Sequence, residues 1–275
     1  MLRLNIIIVS ICVSVAFGQE WHEGKGIVTM GEYSTLAEAR KLALSYARTN
    51  AIEQVGLKIT GASAMVQKED ARDYFNNFIK FTQTKTNGRI VEEEILSDGI
   101  VNQKTADGLS VTFYQILINA LVKLETGEPD PEFRLSLSLN EDSYQNDEDM
   151  VIELSATKEC YVTIFNLYSN DSLLVIFPNE ILNDNHLKAG AILQIPPEEA
   201  NWKMPVGLAN DSLDFDQEVI YVVATKENVP FGVSESVERE GLIAQSGALL
   251  AVNRWLIEIE TSGRTEVNKF YDIWK

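Results

Sequence analysis

The stretch Cys160–Pro197, CYVTIFNLYSNDSLLVIFPNEILNDNHLKAGAILQIPP, decides the fold. Tyr161 to Tyr168 and Leu173 to Phe177 are apolar runs of strand length on either side of Asn170-Asp171, a turn signal, so they predict a β-hairpin. Pro178 stops the second strand, because proline has no N–H for a ladder. A polar loop follows, and Gly190 turns the chain into a third strand, Ala191 to Ile195. The stretch is a sheet core and carries no obvious catalytic group.

The same pattern extends outward. Phe133 to Leu139 alternates strictly between apolar and polar residues, the period of a half-buried strand. Val151 to Ala156, Glu218 to Ala224 and Arg264 to Ile273 read as further strands, and Leu242 to Leu256 as a helix with Leu242, Leu249, Val252 and Leu256 on one side. Residues 133–275 are therefore expected to form a mainly-β, sandwich-like domain with a C-terminal helix. Residues 128–132, with Pro129 and Pro131, read as a linker.

Residues 19–127 read as a small α/β domain, helices on an antiparallel sheet, which makes the chain α+β. A short strand runs between glycines from Gly24 to Met30. Thr35 and Glu38 fit a capping box for a helix whose buried face is Leu36, Ala39, Ala43, Tyr46, Ala47 and Ala51, broken by Asn50. Gly56 is placed to cap its end. Arg40, Lys41 and Arg48 are expected on the solvated side. Leu57 to Val66 reads as a strand, and Asp70 to Phe81 as a helix with Tyr74, Phe75, Phe78 and Phe81 on one face. Gly88 to Leu96 and Ser110 to Leu124 read as strands, with Asp98-Gly99 and Asp107-Gly108 as turns.

Residues 1–18 have the layout of a secretory signal peptide: Arg3, an apolar run from Ile6 to Val15, and small residues at Ala16 and Gly18 before cleavage. Cys12 lies inside the apolar run behind the bulky Ile11, which does not suit lipidation. The expectation is a periplasmic or secreted protein with no transmembrane segment after cleavage. Cys160 is then the one remaining cysteine, so no intramolecular disulfide is expected.

The net charge of −18 is concentrated late: residues 129–275 hold 26 acidic and 10 basic side chains. Such a surface disfavours nucleic acid, whose phosphates need Lys and Arg. Asp142, Asp147 and Asp149 are the candidate metal ligands, but the run lacks the glycine of a calcium loop. No cofactor is expected, with calcium as the one ion these residues would take. There is no G-x-S-x-G elbow, H-E-x-x-H or phosphate-binding loop. A binding face is expected at the loop rim, around Tyr144, Phe177, Pro178, Asn179, His186 and Trp202.

Two resemblances sharpen this reading. Gly24, Gly26, Ala39, Arg40, Ala43 and Ala47 make the first domain similar to the flagellar assembly protein T N-terminal (FlgT-like) and LPP-type lipoprotein families. That resemblance implies a docking part of an envelope assembly. In the second domain, Tyr144, Cys160-Tyr161-Val162, Phe177-Pro178-Asn179, Gly190 and Ile195-Pro196 fall in the order of an uncharacterised bacterial domain of secreted and envelope proteins. Relatives of that domain sometimes follow caspase-like peptidase or kinase domains. Asn146 to Asp149 departs from the Gly-Asp turn common there. The resemblance implies a β-sandwich accessory with an envelope protein or glycan as partner. A non-enzymatic docking protein is the expectation; a divergent hydrolase and a calcium-stabilised structural module are the alternatives.

Overall fold

The computed structural model describes residues 20–30, 35–54, 88–104, 110–168, 172–208, 213–232, 238–239, 242–243 and 248–275. The leader, Gly56, the strand expected over Leu57–Val66, the helix expected over Asp70–Phe81 and the turns at Asp107-Gly108 and Asn170-Asp171 lie outside them. Among the described residues the protein is mostly β, with two α-helices, an α+β composition. None of these helices is long and apolar enough to cross a membrane.

The amino-terminal sheet contains β1 (Glu20–Thr29), β2 (Gly88–Lys104) and β3 (Ser110–Leu124), with β3 central and both pairings antiparallel. Helix α1 (Leu36–Gln54) packs on β1 and β3 through Ala39, Ala43, Ala47 and Ala51. The closeness of that packing requires Gly24 and Gly26. A Cβ at either would overlap the backbone carbonyl of Ala47 or Ala43. Asn50, the polar breach in the alanine face, accepts the Lys25 N–H at 3.0 Å, and Gln54 donates to the Glu23 carbonyl at 2.6 Å. The helix thus satisfies backbone groups that the edge strand β1 leaves open.

Three expectations fail here. Leu36, expected on the buried face of α1, is the first residue of the helix and is 55% exposed. Arg48 is not solvated: it is 3% exposed and forms a two-pronged pair with Glu93 of β2, at 2.7 and 2.8 Å. Glu93 pairs in register with Ala120, on the face that α1 covers, so its carboxylate needs an internal cation. Asp98-Gly99 is not a turn but part of β2, opposite Ile116 and Gln115. Asp98 is held by Tyr114 and Arg40, each at 2.7 Å, and these partners favour the extended strand over a turn.

The carboxyl-terminal part holds β4 (Leu135–Leu139), β5 (Ser143–Gln145), β6 (Ile152–Ala156), β7 (Cys160–Leu167), β8 (Leu173–Phe177), β9 (His186–Leu187), β10 (Ile192–Ile195), β11 (Phe215–Thr225), β12 (Glu238–Arg239), β13 (Leu242–Ile243) and β14 (Arg264–Trp274). The main sheet has the order β12-β13-β8-β7-β11-β14-β5, with β9 pairing beside β8 on β7. A second sheet, β10-β6-β4, shares one core with it. Ile152 and Leu154 from the small sheet meet Val162, Ile164, Ile220 and Val222 from the large one. Helix α2 (Ala248–Ile257) covers the opposite face through Leu249, Val252 and Leu256, over Phe165, Val219, Tyr221 and Val223. The period-2 alternation of β7 and β11 therefore feeds two cores, which explains their continuous apolar character.

Leu242 and Ile243 do not begin the helix. They pair with Leu174 and Leu173, extending the edge of β8, and the helix starts at Ala248. The open edge offers backbone partners that a helical turn could not use.

The two parts meet at α2 and β2. A bulge at Val91 breaks the β2–β3 register. Asn253 donates to the Ile90 carbonyl at 3.0 Å and Arg254 to the Val91 carbonyl at 2.6 Å. Below them Arg89 joins Glu125 and Glu266, and Arg264 joins the same two carboxylates. Burial works against the Glu266 charge, but Arg89 and Arg264 overcome it and hold the carboxyl below its usual range. Glu266 in turn accepts the Tyr221 hydroxyl.

Candidate functional site

The short strand β5 joins the main sheet by pairing parallel with Asp272–Trp274 of β14. Asp272 N–H donates to the Asp142 carbonyl at 3.0 Å, and Asn146 N–H to the Trp274 carbonyl at 2.7 Å. At Asp147, φ is 71°, a left-handed turn that Asp tolerates. The reversed chain is clasped by residues 204–206. Asp147 N–H donates to Val206 O, Val206 N–H to Glu148 O and Met150 N–H to Met204 O, each at 2.8 Å. Asn140 closes the arch: its Oδ1 accepts from the Tyr144 hydroxyl at 2.8 Å and the Val151 N–H at 2.7 Å. The arch encloses an open pocket of about 400 Å³, lined by Asn140, Glu141, Tyr144, Gln145, Glu148 and Asp149. Its wall is acidic and its backbone is fixed, a combination that suits a cationic surface group.

The six expected rim residues separate. Tyr144 is 1% exposed, with its ring edge-on to Tyr271 at 5.7 Å; burial pushes its hydroxyl up to about 12. Phe177 is in the same core at 2% exposure. Both are core side chains because they sit at inward positions of strands that the two sheets enclose. Pro178 follows it through a cis bond. Asn179 shapes its own turn, donating to Ile176 O at 2.8 Å and accepting from the Ile181 and Leu182 N–H groups at 2.9 and 2.7 Å. His186 lies 2.7 Å from Glu159, and its ring is tilted against Tyr161 with the centroids 5.2 Å apart. Trp202 packs half-buried against the large core. Of the six, only Tyr144 touches the pocket.

Among the described residues no group of His, Cys, Asp or Glu gathers in a metal-holding arrangement. Lys269 takes Asp142 at 2.7 Å and Lys203 takes Asp149 at 2.5 Å, while the Asp147 carboxylate accepts from Asn146. Cys160 is fully buried, and burial pushes its thiol up to about 11, the reverse of an activated nucleophile.

Behind the pocket lies a polar cluster that the sequence reading missed. Glu218 of β11, 1% exposed, accepts through Oε2 from the Asn166 amide at 2.8 Å and shares a hydrogen bond with the Tyr271 hydroxyl at 2.5 Å. Its Oε1 has no hydrogen-bond partner among the described residues. Burial raises the carboxyl, Tyr271 and Asn166 pull it back, and Asp216 adds to the rise; the balance lies at about 7. The signal was readable: Glu218 shares its strand face with Ile220, Val222 and Ala224, so alternation alone points a carboxyl inward.

Residues 143–228 match the family model described as a domain of unknown function, DUF4384. The match begins at β5 and includes the hairpin of β7 and β8, the residue 204–206 clasp and Glu218, all within an uncharacterised domain family. Tyr271, α2 and β14 lie beyond it. No curated protein matches the chain.

Proposed function

We propose that this is an exported, non-enzymatic docking or assembly accessory of a bacterial envelope. A FlgT-like helix-on-sheet module, residues 19–127, is joined by residues 128–132 to a sandwich-like module, residues 133–275. The second module presents its acidic loop end to a positively charged face of an envelope protein. The observation that carries this reading is the clasped pocket of about 400 Å³ walled by Glu141, Glu148 and Asp149, of which Asp149 already holds Lys203, so Glu141 and Glu148 supply the charge for a partner. Preformed acidic relief gives orientation and fast association with a basic partner. The layout of residues 1–18 supports export, and the concentration of acidic side chains after residue 128 supports a cationic partner over nucleic acid.

Charge reversal tests this. Glu141 is exposed, so Glu141→Lys should leave stability within about 0.5 kcal/mol. A partner captured from native envelope extract by the full chain should be lost by the variant, and its capture should weaken with salt. Equal capture by both would overturn the assignment of the loop end.

A further inference from the structure

We propose that Glu218, Asn166 and Tyr271 form a proton-operated latch on the carboxyl-terminal end of β14. The latch holds the loop end closed while Glu218 is neutral and loosens it when Glu218 ionises. This rests on the buried cluster and not on the identity of any partner.

Tyr271 has one hydroxyl proton for two acceptors, Asn166 Oδ1 at 3.1 Å and Glu218 Oε2 at 2.5 Å, so both contacts are met only when Glu218 carries a proton of its own and gives it to the Tyr271 oxygen. Glu218 lies on the central strand β11, flanked by β7 and β14. From β7 it meets Asn166, with Tyr168 following; from β14 it meets Tyr271; on its own strand the nearest charged neighbour is Asp216, also acidic. The small sheet packs on this face with apolar side chains. From β5, Tyr144 contributes a neutral ring against Tyr271. The cation on the same face of β14 is Lys269, and its ammonium is held by Asp142 at 2.7 Å. Among the described residues no cation therefore faces the carboxyl, and Oε1 has no donor. An ionised Glu218 would be a buried charge with a negative neighbour and half its acceptors unmet.

Tyr271 carries the consequence outward. Its hydroxyl bonds Glu218 and Asn166, its ring supports Tyr144, and the next residues of β14 hold β5 and Asn146 by backbone bonds. Loosening Tyr271 loosens the strand end that builds the pocket.

The direction with pH follows from the raised carboxyl. In the unfolded chain Glu218 ionises near 4.5; in the folded chain it keeps its proton to about 7. Its contribution to stability is full below 4.5, falls as pH rises through that window, and is gone above about 7.

Thermal unfolding of the full chain and of Glu218→Gln, from below pH 4.5 to above 7, is the test. The amide imitates the neutral acid without titrating. Wild type should lose stability relative to the variant across this window, by on the order of a hundredfold in the folding constant. Amide exchange at residues 142–146 and 271–274 should accelerate with pH in wild type beyond the intrinsic rise, and not in the variant. Parallel stability profiles, or a difference that grows as pH falls, would overturn the latch. If Glu218→Gln does not fold, carbon-detected titration of Glu218 in wild type decides: a midpoint near 7 supports the latch, and one near the ordinary 4.5 overturns it.

Discussion

Buried ionisable side chains are found in both halves of this protein, and each has a different solution. Arg48 and Glu93 neutralise one another under α1 with two hydrogen bonds. Arg89, Arg264, Glu125 and Glu266 form a balanced set of two positive and two negative groups at the joint. Glu218 has no such counter-charge and instead keeps its proton up to about 7. Removing one partner of a buried pair leaves the other unpaired, so Arg48→Ala should destabilise the protein by about 3–5 kcal/mol in denaturant unfolding. A loss below about 1 kcal/mol would mean that water reaches Glu93 and the pair is not closed. Arg48 was misplaced from sequence because its helix position suggests solvent, while its partner lies 45 residues away on a strand whose register only the fold defines. Tyr144 and Phe177 show the same limit: an aromatic next to a turn signal looks presented, yet both turn inward. Asn50 was legible as a breach but not as the ligand of the Lys25 N–H.

At the scale of elements, strands bounded by strong punctuation were legible. The β7–β8 hairpin follows from apolar runs ended by Pro178, and β3, β6, β11 and β14 from their alternation or length. Elements whose state depends on a distant partner were not. Asp98-Gly99 has turn chemistry but is drawn into β2 by Tyr114 and Arg40, and Leu242-Ile243 is drawn to the edge of β8. The same dependence limits the matched segment as a folding unit. Strand β14 pairs with β11 over all eleven of its residues, from Phe215 to Thr225, and α2 covers Phe165, Val219 and Val223. A fragment of residues 143–228 lacks both, along with β4, and exposes an apolar strand edge and face. It should show no cooperative thermal transition, whereas residues 133–275 should. Cooperative melting of the shorter fragment would contradict this account of the core.

Across the whole molecule, the joint determines what the loop end can do. The bulge at Val91 turns two β2 carbonyls toward Asn253 and Arg254, and Leu250 of α2 enters the amino-terminal core. The two parts are therefore mechanically continuous, as the proposed docking role would require. The acidic end itself was only half legible. The charge of residues 140–149 is plain in sequence, but its closure by residues 204–206 and by β14 is long-range. The central claim is that this end contacts a partner in the native envelope. The most direct measurement places a photo-crosslinking residue at Glu141 and, as a control, at the exposed Lys188, in the full chain in its own cells. The account predicts one discrete crosslinked protein from position 141, absent from position 188. No crosslink at 141, or the same products from both positions, would contradict it.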